Sequence, residues 1–135
     1  MKFHHIGIFV KTIEEGDIFF KKILKIEKQS NIFEDYNIGV KVKFLYDHSN
    51  MCYEIVAPLT EKNPVDSVLN SKKNILNHIA YKSNNFEMDI EKLRSVNCIP
   101  ISKVFNAKAF KDSKVIFFLT SIGYIIELIE KKNEK

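Results

Sequence analysis

The fold of this 135-residue chain is decided by His5-Ile6-Gly7-Ile8 and its echo, His78-Ile79-Ala80-Tyr81. Glu54, in Tyr53-Glu54-Ile55-Val56, lies 49 residues after His5. Glu127, in Ile126-Glu127-Leu128-Ile129, lies the same 49 residues after His78. Between them Lys41-Val42-Lys43-Phe44 is matched at the same offset by Lys114-Val115-Ile116-Phe117. A chain that repeats itself at fixed spacing is built from two copies of one supersecondary unit. Two histidines and two glutamates, one of each per copy, are also the inventory of a metal site.

Working outward, each copy reads as strand, helix and three strands. The first copy opens with a strand at about 3–10. Thr12 and Glu15 then form a capping-box pattern ahead of a helix at about 13–24, whose Phe19, Phe20, Ile23 and Leu24 supply a buried stripe. Strands follow near 26–32, 38–46 and 52–58. Asn63-Pro64 reads as a cap and a helix start for a linker helix within about 63–72. The second copy repeats the order. It has a strand at 76–83, a helix at 86–95 capped by Asn84 or Asn85 with Phe86, Ile90 and Leu93 inward, and strands near 99–104, 114–120 and 124–130. Residues 131–135 read as a solvated tail.

The expected class is therefore α+β, a single domain over 1–135, with module 1 at about 1–60 and module 2 at about 75–131. Neither βαβββ module covers its own sheet. Two of them bend into a curved, half-open mixed β-barrel around one cavity. Strand alternation puts His5 on the face of Gly7 and Phe9, and Glu54 on the face of Cys52 and Val56. It turns His4 to the outer face or a dimer surface, and His48 falls in a surface turn.

Composition excludes several classes. A hydrophobic share of 45% argues against disorder, and no apolar run approaches the ~20 residues of a membrane span. No export signal is apparent, and the isolated Cys52 and Cys98 suit reduced thiols in a cytoplasm. The net charge of +4 is nearly all lysine, with Arg94 the one arginine, which disfavours sequence-specific nucleic-acid reading. Lysines at a pocket mouth suit an anionic small molecule better.

The glutamates sit inside apolar strands, where a buried carboxylate needs a cation or hydrogen bonds. A divalent metal answers that need. Strands with one solvated face, both glutamates pointing to water, answer it equally well on residue chemistry alone.

The chain resembles the vicinal oxygen chelate (glyoxalase, bleomycin resistance, dioxygenase) superfamily. The resemblance is carried by His5–Val10, by Tyr53–Leu59, by Asn77–Tyr81 and by Gly123–Glu130. It implies metal ligation by His5, Glu54, His78 and Glu127, the ion being Ni, Co, Mn, Fe or Zn. The full His/Glu/His/Glu set resembles the isomerase branch. The three-ligand dioxygenases and the antibiotic-sequestering members, which often lack ligands, differ from it. Ala57-Pro58-Leu59 and Asn77–Tyr81 resemble methylmalonyl-CoA epimerase, with glyoxalase I, a lactoylglutathione lyase, the alternative and a non-catalytic binding protein a third. That branch implies proton transfer by Glu127 and Glu54, an acyl-CoA thioester or glutathione adduct as substrate, and a homodimer. Some epimerases carry a further carboxylate in the third strand, where this chain has Val42. Phe105, Phe110 and Lys108, in the stretch before the strand at 114–120, are candidate substrate contacts. Cys52 reads as a packed small residue rather than a nucleophile.

Overall fold

The computed structural model describes residues 1–132 and is of mixed α+β class; residues 133–135 of the expected tail lie outside the described residues. The chain divides into two compact units, residues 5–77 and residues 1–4 with 78–135. The opening residues of the first module therefore group with the second.

The unit of residues 5–77 contains β1 (Lys2–Phe9, from His5 on), α1 (Ile13–Ile23), β2 (Ile26–Gln29), β3 (Phe33–Asp35), β4 (Val40–Asp47), β5 (Cys52–Pro58) and α2 (Val65–Ser71). Its strands run in the open order β2-β4-β5-β1, with β3 also paired to β4. β1 and β5 are parallel, Gly7 opposite Glu54. The other unit contains β6 (Leu76–Ser83, from His78 on), α3 (Phe86–Ser95), β7 (Ile99–Pro100), β8 (Phe105–Ala107), β9 (Ser113–Leu119) and β10 (Ile125–Glu130). Its order is β6-β10-β9-β7, with β8 on β9. β6 and β10 are parallel, Ala80 opposite Glu127.

The helices start where side chains supply the missing backbone partners. The Thr12 hydroxyl accepts from the Glu15 N–H at 3.0 Å, and the Asn85 side chain accepts from the Met88 N–H at 3.2 Å. Asn63 Oδ1 accepts from the N–H groups of Val65 and Asp66 at 2.9 and 3.0 Å, so it caps α2 as expected. Pro64 stands just outside the helix rather than at its first position.

Helices α1 and α3 each cover one sheet face. Ile13 and Phe20 of α1 pack on Leu45, Ile55 and Ala57. Phe86, Ile90 and Leu93 of α3 pack on Ile116, Phe118, Ile126 and Leu128. The stripe expected on α1 is corrected here. Phe20 is buried, whereas Phe19 and Ile23 are exposed, because the contact face runs through Ile13, Gly16 and Phe20.

The second strand of each module is also shorter than expected. In place of 26–32 and 99–104 stand two short pieces each, β2 with β3 and β7 with β8. A serine marks each break. Ser30 Oγ accepts from the Phe44 N–H at 2.9 Å, and Ser102 Oγ accepts from the Phe117 N–H at 2.9 Å. A side-chain oxygen thus replaces a ladder bond, and the strand ends there.

Candidate metal centre

In each unit a histidine sits two residues before the small residue that faces a glutamate across a parallel strand pair. Gly7 faces Glu54 and Ala80 faces Glu127, which leaves room for an imidazole beside each carboxylate. His5 Nε2 lies 3.5 Å from Glu54 Oε1, and His78 Nε2 lies 3.2 Å from Glu127 Oε1. All four side chains are buried, the glutamates at 4% exposure each. This removes the solvated-face reading of the glutamates, because neither carboxylate reaches water to any useful extent.

An aromatic ring fixes each imidazole. Phe44 stands opposite Glu54 on β4, its ring edge-on to His5 at 5.5 Å. Phe117 stands opposite Glu127 on β9, its ring edge-on to His78 at 5.4 Å. A further ring backs each of these: Phe33 lies 6.2 Å from Phe44, and Phe105 stacks on Phe117 at 6.0 Å with a 14° tilt. The serine bonds that end β2 and β7 thus anchor the backbone of the two rings that hold the histidines. The echo of Phe44 by Phe117 is visible in the sequence. Its role is not, since it depends on cross-strand register.

The donor set fits a divalent transition metal: imidazole nitrogens and carboxylate oxygens, buried and already adjacent within each pair. Two ligands about 2.1 Å from one ion stand about 3.0 Å apart at a right angle and about 3.4 Å apart at the tetrahedral angle. The separations of 3.5 and 3.2 Å within the two pairs are of that size.

The remaining candidates are placed as follows. Phe105 and Phe110 are half-buried against a cluster of Ala80, Ala107, Val115 and Ile129, so Phe105 reaches His78 through Phe117. Lys108 is exposed, its Nζ 3.3 Å from Asp112 Oδ1. His48 is exposed, as expected, and its bond to Glu27 raises its pKa. His4 is less buried than its neighbour His5, in keeping with the alternation along β1. Its ring is half-buried, 5.7 Å from Phe110.

Burial pushes the Cys52 thiol up to about 11, so it stays protonated at neutral pH and is no nucleophile. Burial, with a bond to Cys52, likewise pushes Tyr46 up to about 12. Val42 is buried and lies between Phe33 and Val56, so no carboxylate occupies that strand position.

The sequence profile of the Glyoxalase/Bleomycin resistance protein/Dioxygenase superfamily matches residues 4–117. The chain belongs to this superfamily. The uncharacterized protein YqjC of Bacillus subtilis (strain 168) is 25% identical over 134 residues, 97% of this chain and 93% of the relative. Among solved structures, hypothetical protein BH1468 from Bacillus halodurans C-125 is similar with a TM-score of 0.81 at 23% identity, covering 99% of this chain and 96% of that one. Methylmalonyl-CoA epimerase from Mycobacterium tuberculosis is similar with a TM-score of 0.79 at 19% identity, covering 98% and 89%. These likenesses establish the glyoxalase-type fold. No helix among the described residues is long and apolar enough to cross a membrane.

Proposed function

We propose that the protein is a divalent-metal-dependent isomerase or epimerase that moves a proton next to a thioester or carbonyl, as in methylmalonyl-CoA epimerase. The observation that carries this reading is the duplicated buried His–Glu pair, 3.5 Å in one unit and 3.2 Å in the other. Membership of the superfamily and the fold likeness to an epimerase support it.

His5, Glu54, His78 and Glu127 hold one ion in this reading, each offering one ligand atom. A bound divalent ion supplies Lewis-acid stabilisation of the oxygen charge that develops as the proton leaves, worth several kcal/mol. The chain's own residues do the rest. Glu127 takes the proton from the carbon next to the carbonyl, and Glu54 serves the opposite side. A carboxylate placed for this work contributes ~10²–10⁴-fold. Phe44 and Phe117 keep the imidazoles aimed and the carboxylates dry. Val42 leaves no acid at that third-strand position, so the two glutamates share the proton work.

The runner-up is a glyoxalase I-like lyase acting on a glutathione adduct. The single arginine, Arg94, is exposed on α3 and makes a poor partner for that adduct's carboxylates. The substrate is an acyl-CoA thioester in the first case, and the working form a cytoplasmic homodimer in both.

The test has two arms. Metal analysis of the purified protein is expected to find a stoichiometric divalent ion. In deuterated water the wild type is expected to wash deuterium into methylmalonyl-CoA, and Glu127→Gln to slow this by ~10²-fold or more. Turnover of the methylglyoxal–glutathione adduct instead identifies the lyase. A metal-free protein whose ligand binding survives Glu127→Gln is a binding protein, and the enzyme reading is then lost.

A further inference from the structure

A cavity opens in the unit of residues 1–4 and 78–135. It has a volume of about 280 Å³ and is lined by Lys2, Phe3, His4, Lys82, Asn84 and Lys131. Three lysines are among its lining residues, and no acidic residue is. None of the three lysines is in an ion pair among the described residues, whereas Lys21, Lys25, Lys43 and Lys108 each have an acidic partner. Asp89 on α3 accepts from the Ser83 hydroxyl and lies 3.9 Å from the Met1 amino group. Glu130 precedes Lys131 and, by strand alternation, points to the other face. Phe3, edge-on to Tyr81, gives the cavity an apolar wall. Asn84 adds an amide that donates to anionic oxygens.

Its position along the strands adds a length. His78 and Lys82 lie four residues apart on β6, on the same face. Glu127 and Lys131 are also four residues apart, and the Lys131 N–H continues the ladder past β10 by bonding the Ser83 carbonyl at 2.9 Å. At about 3.3 Å per residue the lysines stand about 13 Å along the strands from the two candidate ligands.

We infer that this cavity is an anion-binding subsite, taking a phosphate or carboxylate carried about 13 Å from the reacting carbonyl of an elongated substrate. The cavity is too small for a whole cofactor and sized for one anionic group with its neighbouring atoms. The link to a reacting carbonyl rests on the proposed proton-transfer reading; the anion site itself stands without it.

The full chain is titrated by amide NMR at low ionic strength, with inorganic phosphate and separately with succinate, both metal-loaded and chelator-treated. The expected result is saturable shifts confined to residues 2–4, 82–84 and 131, weakening with added salt. The Lys82→Gln/Lys131→Gln double variant is expected to bind about tenfold more weakly, and the Lys→Arg pair to restore binding. Unsaturable shifts, or equal affinity in a folded double variant, overturn the inference. Whichever probe binds tighter identifies the source as phosphate or carboxylate. With a turned-over thioester, the double variant is expected to raise KM about tenfold and leave kcat within about twofold, and an unchanged KM counts against the subsite. If no substrate turns over, the proton-transfer reading has failed while the titration still decides the anion site.

Discussion

Ser30 and Ser102 each accept the backbone N–H of the phenylalanine that packs on a candidate histidine ligand, both at 2.9 Å. A backbone donor that loses its partner in a half-buried setting costs about 1–2 kcal/mol. Ser102→Ala is therefore expected to lower stability by that amount in urea unfolding. It is also expected to loosen the His78 ring, read as exchange broadening of the His78 side-chain resonances, while the His5 resonances stay sharp. Equal broadening of both rings would refute local control by the serine. At this scale the four candidate ligands were legible as two equal gaps, because identity and spacing are properties of the text. The serines were not, because their role depends on which backbone N–H lies across the sheet.

Helix α1 lies close to its sheet because Gly16 carries no side chain. A Cβ there would stand 2.5 Å from Ile55 Cγ2 and 3.1 Å from Val10 Cγ1, and Ile55 is fully buried. Gly16→Ala gains about 1 kcal/mol of helix propensity, yet overpacking costs about 1–3 kcal/mol and prevails. A net loss of about 1 kcal/mol is expected, seen as a lower urea midpoint with an unchanged slope. Asp17, the next residue, ties the same helix to β4, with Lys21 at 2.9 Å and Lys43 at 3.2 Å. Burial raises the Asp17 pKa, but the bonds and charges of the two lysines outweigh it and hold the carboxyl below its ordinary 3.8. A depressed folded pKa gives stability that is present above the ordinary carboxyl value and is lost as pH falls through the folded value. Asp17→Asn is thus expected to melt earlier than wild type at pH 7, with the gap closing in acid and shrinking in high salt. A gap that persisted in acid would point to packing instead. Helix positions were legible because caps are local: Thr12, Asn63 and Asn85 all act as read. The face of α1 was not, since Phe19 and Ile23 continue the apolar pattern onto solvent.

At the scale of the whole molecule, duplication explains why each unit carries the same construction: a histidine, a small residue, a glutamate and an edge-on phenylalanine. It leaves one question that stability and stoichiometry answer together. If the proposed ion is shared, the chain binds about one metal, and loss of either pair abolishes binding. If each pair works alone, the chain binds two, and each loss removes half. We expect the shared case. A ligand at a hundred times its Kd stabilises the folded state by about 2.7 kcal/mol, which for a chain of this length is a shift of about 10 °C in Tm. Chelator treatment is expected to lower the wild-type Tm by that order, and re-addition of the ion to restore it in a concentration-dependent way. His5→Ala and His78→Ala, one from each unit, are each expected to melt near the chelated wild type and to show no further response to chelator. A half-sized chelator response in either single variant, with half the metal retained, would establish two independent sites and remove the shared ion from the mechanism.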